Sequence, residues 1–391
     1  MDASMQASLA LYVHMPWCVR KCPYCDFNSH QLKSGQPDAS YIDALIRDFE
    51  TEAPRLEGRR IDTVFFGGGT PSLFAPAEFA RLIGALKQRI AFADDAEITL
   101  EANPGTIERG RFLGYAQAGI NRVSLGAQSF DARALAVLGR IHSAEDTLRA
   151  VEELKEAKLD NFNLDLMYAL PGQSLEEAER DVQIACSLAP AHISYYQLTL
   201  EPGTVFHSRP PVLPDEDAAW RIQLAGQKLL RDAGYAQYEV SAYARPGARC
   251  RHNLNYWLFG DYAGIGSGAH GKISLGVPDK ILRTVKPKQP RDYQERLAEA
   301  SASPGSSASP GESGYIAAAD LPFEFMLNAL RLNDGFSAAC YHARTGLKLE
   351  ILDEKLGRAQ NQGLLEPTAQ GWRPTELGRT FLNDLQASFL A

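Results

Sequence analysis

Apolar residues in the first half of the chain fall into two alternating kinds of run. Short β-rich segments at residues 9–14, 61–66, 97–102, 122–125, 162–167 and 192–198 are separated by amphipathic stretches at 41–53, 76–90, 108–118, 144–157 and 175–187. A two-residue period sends side chains to opposite faces of a strand, whereas a 3.6-residue period gathers them on one face of a helix. Their alternation predicts parallel strands joined by crossover helices. Six such units are too few to close an eight-unit barrel, so the expected fold is α/β, a partial (β/α)6 TIM-like barrel. In such sheets functional groups gather at the C-terminal ends of the strands.

The barrel is expected over residues 1–245, followed by a connecting segment, 246–300. The Ser-, Gly- and Pro-rich stretch 301–314 reads as a flexible linker or surface loop, because it has little apolar surface to bury. Residues 315–391 then form a small, mainly helical domain, with helical character at 321–332, 348–354 and 358–363. A short strand or turn from Trp372 leads into a helix over 376–389, a pattern resembling a winged helix. A lid or platform beside the barrel mouth is the expected role of this domain.

Composition narrows the class. A chain of 391 residues with 45% hydrophobic positions fits a soluble globular protein of two or three domains. A net charge of −8 argues against nucleic acid as a partner, for which a basic footprint is expected. The N-terminal residues lack the pattern of a signal peptide, and no apolar run is long enough to cross a bilayer, so a cytoplasmic protein that is not integral to a membrane is expected. Six cysteines in a chain of this length do not make a disulfide scaffold, and Cys186, Cys250 and Cys340 are scattered singly, as buried packing groups are.

The other three cysteines carry the chemistry. Cys18, Cys22 and Cys25 stand in the run HMPWCVRKCPYCDF, spaced C-x₃-C-x₂-C. Three thiolates on a [4Fe–4S] cluster, which normally takes four, leave one iron open to a small chelating ligand. An incomplete structural zinc site, or chance, would give the same triplet. One strand later comes Gly67-Gly-Gly-Thr-Pro-Ser72, where missing side chains let backbone approach a ligand closely, or simply make a tight turn.

The cysteine loop and Gly67–Pro71 together resemble the radical-SAM proteins, and within them the coproporphyrinogen-dehydrogenase-like branch. The likeness continues through EANPG from Glu101, SLGAQSF from Ser124, GRIH from Gly139, NLDLMYALPGQ from Asn163, YQLTLEPGT from Tyr196 and PFEFMLNALR from Pro322. It implies a barrel of the radical-SAM type, with a [4Fe–4S] cluster on Cys18, Cys22 and Cys25 and exchangeable S-adenosylmethionine on its open iron. By the same resemblance Tyr12 lies beside that cosubstrate and Tyr24 offers backbone and ring to its adenine. Gly68, Gly69 and Thr70 cradle its methionine portion, and Glu101 accepts hydrogen bonds from its amino or hydroxyl groups. Gln128, Arg140 and Asp165 line the same cavity. Met as isolated residues, Glu101 and Asp165 would pass for helix caps or structural ion-pair members, and Arg140 for a surface cation.

Two features separate the branches of this family. The coproporphyrinogen dehydrogenases carry a further cysteine two residues after the third, where this chain has Phe27. The chain also carries Arg251-His-Asn-Leu-Asn-Tyr-Trp257, a string associated with the family's haem-chaperone branch. On that resemblance His252, Asn253, Tyr256 and Trp257 bind haem, His252 ligating the iron, with Arg249 and Arg251 placed to pair with propionates. Read from its own chemistry, one histidine beside two aromatics is more often a packed core element. The glycine-rich run 260–271 is expected to close over the adenosine side of the cavity, and His270 within it fits either a ligand contact or a structural loop.

Two functions from different classes follow. The first is a haem chaperone, monomeric or dimeric, that binds haem and passes it to an acceptor, a respiratory or membrane haemoprotein being the expected kind. The second is a radical enzyme that decarboxylates coproporphyrinogen III by hydrogen abstraction from its propionates. Phe27 and the HNLNYW string favour the chaperone.

Overall fold

The structure is a computed structural model describing residues 8–33, 37, 39–105, 110–302 and 311–390. Its main sheet contains twelve strands, numbered here in chain order. They are β1 (Ser8–Met15), β2 (Arg60–Gly68), β3 (Ala91–Ala102), β4 (Arg122–Gln128), β5 (Phe162–Tyr168) and β6 (His192–Gln197), then β7 (Ala236–Gln237), β8 (Ala242–Ala244), β9 (Asp261–Ile265), β10 (His270–Gly276), β11 (Lys280–Val285) and β12 (Glu312–Tyr315). Across the sheet they run β12-β11-β10-β9-β1-β2-β3-β4-β5-β6-β8-β7. Strands β1 to β6 are neighbours in sequence order and parallel throughout. The fold is α/β, with the parallel strands and crossover helices of a partial TIM barrel and a mainly helical C-terminal region.

The two faces of the parallel strands differ chemically. Alternate residues, such as Leu9, Leu11 and Val13 on β1 or Leu164 and Leu166 on β5, join one apolar core with residues of the crossover helices, among them Phe79, Leu82 and Leu86. The intervening residues are polar and bond to one another across strands. Ser124 donates to Asp165 at 2.9 Å, the Asn163 amide donates to Ser124 at 2.8 Å, and His192 Nδ1 meets Asn163 Oδ1 at 2.6 Å. A buried polar group is tolerated when its bonds are satisfied, and this polar face is the one that builds the site.

Several elements differ from expectation. Strand β3 begins at Ala91 rather than 97; its first residues, Ala-Phe-Ala-Asp-Asp, carry no strong alternation but pair with β2 across an irregular register. A helix over Glu216–Asp232 was not anticipated. The expected helix over 108–118 spans Phe112–Gln117, and residues 106–109 lie outside the described residues. In the 301–314 stretch, the helix Pro290–Ala302 runs into its start and β12 occupies its end, while residues 303–310 lie outside the described residues. The glycine-rich run contains a strand, β9, lying parallel to β1 inside the main sheet. Gly264 is there because a Cβ would stand 2.0 Å from the His270 carbonyl oxygen.

Near the end of β1 a buried ion cluster ties the barrel to this late segment. Lys286 Nζ bonds Asp48 Oδ1 at 2.6 Å and Glu52 Oε1 at 2.7 Å, all three buried. Asp48 Oδ2 also accepts from the Gly266 N–H at 3.0 Å and the Tyr293 hydroxyl at 2.8 Å. The Tyr41 hydroxyl donates to the His14 carbonyl at 2.9 Å and accepts from the Ser267 N–H at 2.9 Å. The 266–268 turn is thereby fixed against β1.

The C-terminal region has its own apolar core, including Phe325, Tyr341, Leu356 and Leu385, which joins the main sheet through Phe259 and Ile281. Its three short strands, Phe336–Ser337, Leu365–Pro367 and Gly371–Pro374, form an antiparallel sheet. The single helix expected over 376–389 is two, Glu376–Thr380 and Leu382–Ala387, broken where Phe381 leaves helical geometry with ψ of 45°.

Candidate functional site

The cysteine loop leaves the C-terminal end of β1 and is pinned at both ends. Trp17–Cys18 pairs with His30–Gln31, which closes the loop, and the Thr70 N–H donates to the Trp17 carbonyl at 2.7 Å. Each sulfur has a polar neighbour. Thr70 Oγ1 donates to Cys18 Sγ at 3.5 Å, Arg140 Nη1 donates to Cys22 Sγ at 3.7 Å, and Ser29 Oγ stands 3.7 Å from Cys25 Sγ. All three cysteines are free and half-buried. Burial raises the pKa of the Cys18 thiol, and the Thr70 and Ser29 hydroxyls beside it pull the other way, towards the thiolate that metal ligation requires.

The glycines beside them are set by close approach. Gly68 has φ of 115°, and a Cβ there would lie 2.5 Å from the His14 ring. At Gly69 a Cβ would lie 2.5 Å from the Trp17 carbonyl oxygen, which is backbone and cannot swing away. Gly69→Ala is therefore expected to push the cysteine loop off the end of β2 and lower the iron retained after anaerobic reconstitution. Wild-type iron content in that variant would refute the tight approach.

All three cysteines line one cavity of about 380 Å³, together with every residue expected to hold the cosubstrate except Tyr12. Glu101, from the end of β3, accepts the Gly68 N–H at 3.1 Å. Burial, reinforced by the neighbouring Asp165 carboxylate, pushes its pKa from 4.5 to about 8. Burial also raises Asp165, against the pull of donors from Ser124, Asn163 and Ser194. Gln128 sits at a break in the β4–β5 register with φ of 65°, a left-handed conformation that carries strain in a non-glycine residue. Its Oε1 accepts from the Tyr196 hydroxyl at 2.8 Å. Arg140 donates to Asn103 Oδ1 and, at 2.9 Å, to the Gly126 carbonyl, which aims it at Cys22. Asn103, Tyr196 and Ser29 were not singled out from sequence, although Asn103 and Tyr196 lie inside strings that were.

Tyr12 lines a second chamber, also about 380 Å³, and its hydroxyl is 3.0 Å from His14 Nδ1. The two chambers adjoin, sharing Phe27, Gly68 and Glu101 in their walls. Phe27 is 62% exposed, a large apolar ring standing at the mouth.

The HNLNYW string forms the helix Arg251–Trp257, whose first N–H groups are capped from the sheet. Glu97 accepts from the N–H groups of both Arg251 and His252 at 3.1 Å. His252 is 1% exposed, its Nδ1 is 2.9 Å from Thr63 Oγ1, and its ring stacks on Phe65 with centroids 5.0 Å apart. Burial lowers its pKa to about 3, so the ring is neutral. Iron ligation by His252 would require this helix to leave the sheet. Asn253 is half-buried, and Trp257 lies beneath the Arg331 guanidinium at 4.3 Å. Arg249 and Arg251, expected beside propionates, form ion pairs with Asp334 and Asp95. Of the four motif residues, Tyr256 is the one that lines the second chamber.

Comparison with known proteins gives the family and the fold. The Radical SAM superfamily model matches residues 12–185, and the HemN C-terminal domain model matches residues 316–381. Fold and site thus define a radical-SAM protein. The haem chaperone HemW of Escherichia coli K12 is 49% identical over 385 residues, covering 98% of each chain, and that of Haemophilus influenzae is 47% identical over 390 residues at the same coverage. The chain belongs to the HemW haem-chaperone family. Coproporphyrinogen III oxidase (HemN) from Escherichia coli, a solved structure, matches with a TM-score of 0.81 over 98% of this chain and 90% of its own; at 22% identity it shares the fold.

Proposed function

We propose that this protein carries haem and hands it to an acceptor haemoprotein, and that Cys18, Cys22 and Cys25 hold a [4Fe–4S] cluster beside a cavity that takes S-adenosylmethionine. The observation behind the haem reading is near-complete overlap, at almost half identity, with proteins named haem chaperones. Three thiols, each with its own polar neighbour, on the wall of one cavity suit the donor set of a site-differentiated cluster. When bound, the cluster would supply one-electron chemistry and a site for the cosubstrate's polar groups. The protein's share is positional. Gly68, Gly69 and Thr70 give the methionine end room, while Gln128, Arg140 and Asp165 offer donors and acceptors to its polar groups. Tyr24 in the first chamber and Tyr12 in the second would flank the bound cosubstrate.

Glu101 gives this reading a pH signature. With a pKa of about 8 it carries its proton at neutral pH when no cation lies beside it. An ammonium or sulfonium beside it favours the carboxylate. Binding S-adenosylmethionine should therefore release a proton below about pH 8, and affinity should rise with pH up to that point and level off above it. Stability runs the other way. The folded pKa lies above the ordinary 4.5, so the fold holds the extra proton and this group's contribution declines as pH rises from about 4.5 to 8. Calorimetry in two buffers of different ionisation enthalpy counts the proton; a buffer-independent heat at pH 7 would refute the assignment.

Among the described residues no helix is long and apolar enough to cross a membrane, which suits a cytoplasmic carrier that meets its acceptor at a surface. The test of function is transfer. Haem-loaded protein mixed with an apo-haemoprotein should reconstitute the acceptor's spectrum, while anaerobic incubation with coproporphyrinogen III, reductant and S-adenosylmethionine should leave that substrate unchanged. Decarboxylated product over many turnovers would make the protein an enzyme instead.

A further inference from the structure

The second chamber has features that the first does not need. Its walls include the ends of β1, β2 and β3, the cysteine loop, the HNLNYW helix, β9 and the start of β10, and the rings of Tyr12, Phe27, Tyr256 and Tyr262 stand among them. Tyr256 and Tyr262 meet edge to face with centroids 4.4 Å apart, and Phe27 stands exposed at the rim. Large flat rings around an open cavity offer apolar area to a planar ligand.

His270 is placed differently from the other histidines of the chamber and its wall. His14 is engaged at both nitrogens, by the Tyr12 hydroxyl at 3.0 Å and the Asn28 carbonyl at 2.8 Å. His252 lies behind Tyr256, with ring centroids 5.1 Å apart, and is closed off from solvent. His270 lines the chamber and is exposed, and among the described residues no hydrogen bond engages its ring. Partial burial and the nearby Arg283 and Lys288 charges lower its pKa, which favours the neutral imidazole that binds metal. Lys288 is itself exposed at the chamber wall, where it suits a carboxylate on a ligand's edge.

We propose that the second chamber is the haem seat, with His270 ligating the iron, the Tyr256–Tyr262 wall and Phe27 packing the macrocycle, and Lys288 taking a propionate. The proposal rests on the haem-carrier reading and deepens it. Within it the HNLNYW helix acts by position. Glu97 caps the helix and His252 packs between Phe65 and Tyr256, so the string's conspicuous histidine holds the wall that the haem touches. A seat at an open mouth suits cargo that must leave again. Ligation by His252 would require the sheet's interior to be opened at every transfer.

Haem titration of the full-length protein distinguishes the two histidines. His270→Ala is expected to weaken ferric haem binding on the order of tenfold or more and to shift the Soret band, with millimolar-range free imidazole restoring the wild-type band because the vacated position faces solvent. His252→Ala is expected to loosen binding through the wall while leaving the Soret position of the bound fraction unchanged, and imidazole should have no effect on it. A His270→Ala variant with wild-type affinity and spectrum overturns the proposal, as does a ligand-loss spectrum confined to His252→Ala. Wild-type protein that fails to bind haem would instead overturn the carrier reading and the seat together.

Discussion

Cys22→Ser is expected to abolish the cluster while leaving a folded protein. With one of three thiolates gone, two protein ligands remain, and an iron–sulfur cluster with two unanchored irons is lost to solvent or chelator. The fold has no comparable dependence on Cys22. The cysteine loop is half-buried, it is held by backbone bonds at Trp17, Cys18, His30 and Thr70, and the main apolar core does not include the three sulfurs. Iron and acid-labile sulfide per chain should therefore fall to background, together with the charge-transfer absorption, while far-UV circular dichroism and the denaturant midpoint of the apoprotein match apo wild type. Unchanged iron content would refute the ligand assignment. Arg140, which donates to Cys22, also bonds Asn103 and Gly126 and so keeps its place.

Lys286→Ala is expected to give a large loss of stability. It would remove a fully buried ammonium from between Asp48 and Glu52, leaving carboxylates in a place where water does not reach. Breaking a buried pair by deleting one partner costs about 3–5 kcal/mol. Burial already raises the Asp48 pKa despite the nearby lysine, so protonation of Asp48 will hold the loss to the lower part of that range at acidic pH. The double variant Asp48→Asn with Lys286→Met should recover much of the loss, because it leaves no orphaned charge at position 48. Urea denaturation of wild type and both variants at pH 7 checks this; a single variant within 1 kcal/mol of wild type, about the value of an exposed pair, would show that the cluster is not desolvated. The variant should also loosen the 266–268 turn, and with it the wall of the second chamber.

Much of this architecture could be read before the coordinates. Strands β1 to β6 were legible because alternate residues on each serve a continuous apolar core, so the pattern is strong enough to survive local exceptions. The cavity residues were legible as motif strings, and Cys18, Gly69, Glu101 and Asp165 come together because their strings lie on or just after parallel strands of one sheet, β1, β2, β3 and β5. Strand β9 was not legible. Gly264 and its glycine neighbours lower strand propensity locally, and the reason for glycine, the approach of the His270 carbonyl, is a tertiary contact with no trace in nearby sequence. The HNLNYW string shows a related limit. Its residues could be recognised, but which of them face the interior depends on Glu97, a residue more than a hundred positions earlier that caps the helix from the sheet. His252 therefore lies in the core, where its own chemistry beside two aromatics placed it, and not at an open haem site, where the resemblance did.

The two chambers have wall residues in common, Phe27, Gly68 and Glu101. On the proposed occupancy, a shift of the Phe27 ring or of the charge on Glu101 made by one occupant would be felt by the other. Any such coupling is reciprocal: the factor by which S-adenosylmethionine changes haem affinity equals the factor by which haem changes affinity for S-adenosylmethionine. The effect of the cosubstrate on haem affinity and the effect of haem on cosubstrate affinity would then be two readings of one coupling free energy, so that measuring either effect fixes the other.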